Sequence, residues 1–155
     1  MNRIETPWPN VLVLRGPIDH PEKRVREWIL SRCALHMLAR ARHSSLSHSG
    51  DYAAAMIGDV PVGVDVQVVR PLSERAGHLF LSDEEQSDLE RCTIEHRILH
   101  FFCAKEAAWK AHGGAIPTLK QIPLKLKEET ITGLLFDAAA TYATGEIIVA
   151  VTTTS

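Results

Sequence analysis

The chain has 155 residues, 45% hydrophobic and 23% charged, enough to bury a core without disulfides or a structural metal. Its net charge of −2, with eight histidines counted neutral, offers no basic field for nucleic acid, and no apolar run approaches the ~20 residues of a membrane helix. A large enzyme with its own substrate domain is excluded by length. Met1 to Asn10 lacks a signal-peptide core, and Cys33, Cys92 and Cys103 show no CxxC spacing, so reduced thiols in a cytoplasmic protein are expected.

Val11 to Leu14 is a short apolar run that reads as a buried strand, ended by Gly16-Pro17. From Pro21 to Arg42 there is no internal Gly or Pro. Val25, Trp28, Ile29, Cys33, Leu35, Met37 and Leu38 recur at helical spacing, which predicts a long helix with a basic polar face. Ser44 to Gly50 reads as a small-residue break and Asp51 to Gly58 as a strand. Val62 to Val68 alternates strictly, placing Val62, Val64, Val66 and Val68 on a core face and Gly63, Asp65 and Gln67 on the other. A short helix is expected over Ser73 to Phe80. Ser82 and Glu85 have capping-box spacing at the start of a helix that runs to Arg91. Thr93 to His112 predicts the second long helix, stopped by Gly113-Gly114. Strands are expected at Leu124 to Lys127, Ile131 to Asp137, Ala139 to Ala143 and Glu146 to Thr153, with Thr144-Gly145 turning the last hairpin. This order predicts an α+β fold of two small lobes, about 1–60 and about 61–155, each a long helix packed on a small antiparallel sheet.

Two stretches carry chemistry. Asp65 and Gln67 lie two apart on a strand, so both side chains can reach one ligand. In the second long helix Phe102, Glu106 and Lys110 form one stripe and Phe101, Lys105 and Trp109 the next. Glu106 and Lys110 are placed as an i,i+4 pair, and carboxylate and ammonium groups beside aromatic bulk point to a cleft. His96 and His100 also sit at i,i+4, but no third zinc ligand stands out. Ser47-His48 lacks the G-x-S-x-G elbow of a hydrolase. Cys103 reads as a small core residue.

The sequence resembles the 4′-phosphopantetheinyl transferase superfamily. Gly63-Val64-Asp65-Val66-Gln67 is similar to its G-(I/V)-D-(I/V)-E motif. Phe102-x-x-Lys105-Glu106-Ala107-x-x-Lys110 is similar to (W/F)-x-x-K-E-(A/S)-x-x-K. Phe80 to Glu85 resembles F-F-S-x-x-E, and Ser47-His48-Ser49 resembles the S-H-S segment of the longer, surfactin-synthetase-activating type. The resemblance implies transfer of 4′-phosphopantetheine from coenzyme A to a serine of an apo acyl or peptidyl carrier protein, releasing adenosine 3′,5′-bisphosphate, in fatty acid or secondary metabolite biosynthesis. It implies Mg²⁺ on Asp65, Gln67 and Glu106, with Glu106 also as base and Lys110 stabilising charge on the pyrophosphate. It further implies coenzyme A contacts from Ser47, His48 and Lys105. Arg24 and Arg32 of the basic helix are additional candidates for phosphate. With both halves present, a monomer is expected, a dimer through the trimmed first half being the alternative. Two departures stand out. The second acid of the first motif is Gln67, and the family's G-K-P segment before S-H-S is missing, since Arg42 to Ser45 runs almost directly into it. The first implies weaker metal binding, the second the loss of a nucleotide contact on the adenine side, and together they raise a rival reading, an impaired relative that only binds coenzyme A or a carrier protein.

Overall fold

The structure is a computed structural model describing residues 1–153; the second lobe as expected from sequence runs two residues further, outside that range. Strands β1 (Asn2–Ile4), β2 (Val11–Arg15), β3 (His43–Ser49) and β4 (Tyr52–Gly58) form an antiparallel sheet in the order β1-β2-β4-β3, with helix α1 (Lys23–His36) between β2 and β3. The strand β5 (Val62–Val68) begins a second antiparallel sheet. Helices α2 (Glu74–Phe80), α3 (Asp83–Arg91) and α4 (Arg97–Ala111) follow. The chain then adds β6 (Leu126–Glu129), β7 (Leu134–Phe136), β8 (Ala139–Ala143) and β9 (Ile147–Thr153), giving the order β5-β9-β8-β7-β6. The architecture is α+β, with a long helix on each of two small antiparallel sheets, as the pattern predicts.

Alternation along the strands builds a stack of four layers. Leu12, Leu14, Ala53 and Ala55 turn one face of the first sheet to Leu30 and Ala34 of α1. Val11, Val13, Ala54 and Met56 turn its other face to Val62, Val64 and Val66 of β5 and to Ile147, Val149 and Val151 of β9. Ile148 and Ala150 of β9 point the opposite way, into a core shared with Phe101, Cys103, Ala104 and Ala107 of α4. The second sheet is therefore covered on both faces. This corrects the simplest reading of β5, because Asp65 on its polar face is buried, at 4% exposed, under α4.

Other boundaries move for identifiable reasons. The stretch read as a break is strand β3 up to Ser49, paired with β4 along its whole length, and only Gly50 falls in the turn that follows. Strand β1, without a sequence signal, adds to the edge through β2. Helix α1 stops at His36, well short of Arg42, where the chain returns to begin β3. Trp28 is 61% exposed and Met37 also faces out, so part of the apolar spacing in this helix builds no core. Helix α4 starts at Arg97 and not at Thr93. The Glu129 carboxylate accepts the amides of Thr93 (2.7 Å) and Ile94 (2.9 Å), withdrawing them from any helix, and His96 at φ 57 sets the true start. At the other end Gly113 and Gly114, at φ 64 and 70, supply the left-handed stop. Among the described residues no helix is long and apolar enough to cross a membrane.

Candidate active site

Gly63 explains why a helix carrying a carboxylate can lie directly on β5. A Cβ built on it would come 1.8 Å from the carbonyl oxygen of Ala107, so only glycine lets the α4 backbone approach this closely. Cys103, one turn earlier, is buried and donates its thiol to the Asp65 carbonyl at 3.4 Å. Burial pushes its pKa well up, with the Asp65 charge adding to the effect. It is an inert packing residue, as expected. Together these contacts hold the Asp65 strand against the helix that bears Glu106 and Lys110.

The Asp65 carboxylate accepts from three side chains. Oδ1 accepts from the Ser47 hydroxyl at 3.0 Å and from Lys110 Nζ at 3.3 Å. Oδ2 accepts from Gln67 Nε2 at 2.8 Å. Lys110 also donates to the carbonyls of Val64 (3.0 Å) and Leu46 (3.2 Å), so its ammonium bridges β3 and β5. Its ion pair is with Asp65 and not, as helical spacing predicts, with Glu106. Glu106 is half-buried beside them. Its pKa is raised, first by burial and then by the Asp65 charge, while Lys110 pulls it back. The structure therefore brings Asp65, Gln67, Glu106, Lys110 and Ser47 into one cluster from β3, β5 and α4.

Two carboxylates and an amide are a hard, oxygen-rich donor set. Among the described residues no group of three or more His, Cys, Asp or Glu could enclose a metal. The set fits a cation such as Mg²⁺, which takes one or two carboxylates and completes its shell with water and phosphate oxygens. The repulsion between Asp65 and Glu106 is the kind of strain such a cation relieves. Gln67 presents its amide nitrogen to Asp65, so its oxygen becomes a ligand only after the amide rotates.

Other residues predicted from sequence fall elsewhere. Lys105 is fully buried on a different side of α4, held 2.7 Å from Glu85 Oε1 and donating to the Ile122 carbonyl. This corrects its assignment to coenzyme A, because a sealed ammonium cannot reach a ligand. Desolvation lowers its pKa, and Glu85 opposes that. Glu85 does more than the capping box indicates. Besides accepting the Ser82 amide at 2.8 Å, it accepts the Leu124 amide at 2.7 Å, tying the chain after α4 to the start of α3. Ser47, expected to contact coenzyme A, is buried with its hydroxyl turned to Asp65. His48 projects from the other face of β3. Its Nδ1 lies 3.6 Å from Glu27 of α1 and its side chain is half exposed. Arg24 and Arg32 lie on the outer face of α1, on the far side of the first sheet from α4, and Arg32 stacks over Trp28 at 5.7 Å. None of these three contacts the Asp65 cluster.

Sequence reading missed Ser45, and took Ser49 only as part of the S-H-S segment with no role of its own. The β5 amides of Val64, Val66 and Val68 donate to the hydroxyls of Ser45 (3.1 Å), Ser47 (3.1 Å) and Ser49 (3.0 Å). The serines thus satisfy the free edge of β5 in place of a neighbouring strand's backbone. The i, i+2, i+4 spacing of these serines was the available signal. An open cavity of about 580 Å³ adjoins the cluster at the C-terminal end of α4, lined by Lys110, His43 and His112 among others. A larger cavity, about 700 Å³, lies at the opposite end of α4 around His96, His100 and Thr130, and none of the cluster residues lines it.

The chain is 35% identical over 77 residues to the 4′-phosphopantetheinyl transferase psf-1 of Bacillus pumilus, a match that covers 48% of this chain and 33% of that relative. The chain thus spans about a third of the length of the relative it matches. The profile of the 4′-phosphopantetheinyl transferase superfamily matches residues 61–144, which include Asp65, Gln67, Glu106 and Lys110. With more than half of its length matched, the chain belongs to the 4′-phosphopantetheinyl transferase superfamily.

Proposed function

We propose that this protein transfers 4′-phosphopantetheine from coenzyme A to a serine hydroxyl of an apo acyl or peptidyl carrier protein. The observation that supports it is the meeting of Asp65, Glu106 and Lys110 at the joint of β3, β5 and α4. In this reading the carrier serine oxygen attacks the phosphorus that bears the pantetheine arm. The pyrophosphate P–O bond breaks and adenosine 3′,5′-bisphosphate leaves. Glu106, whose raised pKa suits proton uptake, accepts the serine proton directly or through water. Lys110 neutralises charge on the pyrophosphate, and the adjoining cavity with His43 and His112 gives phosphate groups room. Asp65, Glu106 and, after rotation of its amide, Gln67 would hold Mg²⁺, which when bound offsets charge on the transferring phosphoryl group. His48 is the candidate contact to the 3′-phosphate. In this reading the protein works in the cytoplasm, as a monomer or alternatively a dimer, on the carrier proteins of fatty acid or secondary metabolite synthesis.

The test is incubation with a panel of apo carrier proteins, coenzyme A and Mg²⁺, followed by mass measurement of the carriers. A gain of one phosphopantetheine supports the reading, and Asp65→Ala and Glu106→Ala abolish that gain with the fold intact. Coenzyme A or carrier binding without transfer across the panel and across divalent metals leads instead to the binding-module reading.

A further inference from the structure

The three β3 serines make the same bond but have different surroundings. Each hydroxyl oxygen accepts one β5 amide, so each hydroxyl proton is free to be donated elsewhere. Among the described residues only Ser47 of the three donates to a carboxylate, with its Oγ 3.0 Å from Asp65 Oδ1. The bond direction is settled by the acceptor, because an ionised carboxylate cannot donate. The result is a short chain from the Val66 amide to the Ser47 hydroxyl to Asp65, buried at both side chains. Polarisation along such a chain strengthens each link in a low-dielectric setting. The backbone amide fixes the serine rotamer, and the serine proton then fixes one carboxylate oxygen. Gln67, by contrast, is a partly exposed side chain that touches the carboxylate through a single bond to Oδ2, and Lys110 reaches Oδ1 at a longer 3.3 Å while also donating to the Leu46 and Val64 carbonyls.

We infer that Ser47 is a positioning residue for Asp65, holding Oδ1 in place so that the rest of the carboxylate faces Glu106 for cation and pyrophosphate binding. The inference deepens the transferase reading and rests on it for the role of Asp65. Ser45 and Ser49 are internal controls, since they close the same edge amides without touching the carboxylate.

The experiment compares Ser45→Ala, Ser47→Ala and Ser49→Ala, with Ser47→Thr as the variant that keeps the hydroxyl. Crystal structures are expected to show the Asp65 carboxylate in its original rotamer in Ser45→Ala and Ser49→Ala and displaced in Ser47→Ala. Calorimetric titration of Mg²⁺ in the presence of coenzyme A is expected to show affinity about ten-fold or more weaker in Ser47→Ala alone, restored by Ser47→Thr. If Ser47→Ala does not fold, Ser47→Cys, similar in size but a weak donor, is read the same way. An unmoved Asp65, or equal loss of affinity in all three alanine variants, overturns the inference while leaving the transferase reading standing. A wild-type protein that neither transfers nor binds Mg²⁺ overturns the transferase reading instead, and the Asp65 rotamer comparison still decides the role of Ser47.

Discussion

Burial and the Asp65 charge both disfavour ionised Glu106, and Lys110 does not fully offset them. A carboxylate with a raised folded-state pKa binds more protons folded than unfolded in the window between its two pKa values, so stability falls as pH rises through that window. Above it the destabilisation is present in full. Glu106→Gln is therefore expected to raise the melting temperature at pH 7, by on the order of 2 °C, while abolishing transfer. That gain shrinks as pH falls toward the ordinary carboxylate range, where both forms are neutral. Scanning calorimetry at several pH values checks it, and a variant that is less stable at pH 7 contradicts it. The identity of Asp65, Glu106 and Lys110 was legible in the motifs. The direction in which Lys110 reaches was not, because helical spacing offered Glu106 as partner and only the packing of α4 on β5 made the Asp65 carboxylate and two strand carbonyls available.

At the scale of elements, α4 is held on two sides by different devices. On the β5 side the close approach at Gly63 sets the spacing. Gly63→Ala forces helix and strand apart, with an expected cost of about 1–3 kcal/mol from overpacking. It also separates Glu106 from Asp65, so transfer is expected to fall further than stability. Urea unfolding and transfer assays on the same preparation separate the two effects. On the other side the sealed Lys105–Glu85 pair joins α4 to α3 and to the segment after Gly114. Lys105→Met leaves Glu85 buried without its cation and is expected to cost ~3–5 kcal/mol in urea unfolding. A ligand-contacting lysine would instead leave stability unchanged and raise KM for coenzyme A. Sequence alone placed Lys105 one step around the helix from Glu106, about 100°. It could not show that α3 and Ile122 close over that face.

For the whole molecule, the two sheets share one apolar layer made of Val11, Val13, Ala54 and Met56 against Val62, Val64, Val66, Ile147, Val149 and Val151. A second tie runs along the solvent edge, where the Tyr52 hydroxyl and Arg15 both engage Glu146. With one core between them, the two halves are expected to unfold together. Met56→Ala, in the middle of that layer, is expected to cost about 2–5 kcal/mol and to preserve a single transition. Tryptophan fluorescence reports Trp8 and Trp28 on the first half and Trp109 on the second, and far-ultraviolet circular dichroism reports the whole chain. Coincident midpoints support a shared core, and two separated transitions contradict it.

What the amino-acid sequence determined by itself was local. It carried the alternation of β5, the glycine and carboxylate of the first motif, the capping box at Ser82 and Glu85, the α4 stripe with Glu106 and Lys110, and the Gly113-Gly114 stop. Each rests on interactions within a few residues, which spacing records directly. The tertiary structure alone decided that Ser44 to Ser49 is a strand, that Lys105 and Ser47 are interior, that Arg24 and Arg32 stand apart from the cluster, and that Asp65 is held by three donors. Those outcomes depend on which faces meet across long stretches of chain. A serine that caps a sheet edge and a serine in a loop have the same spacing until the edge is brought to them.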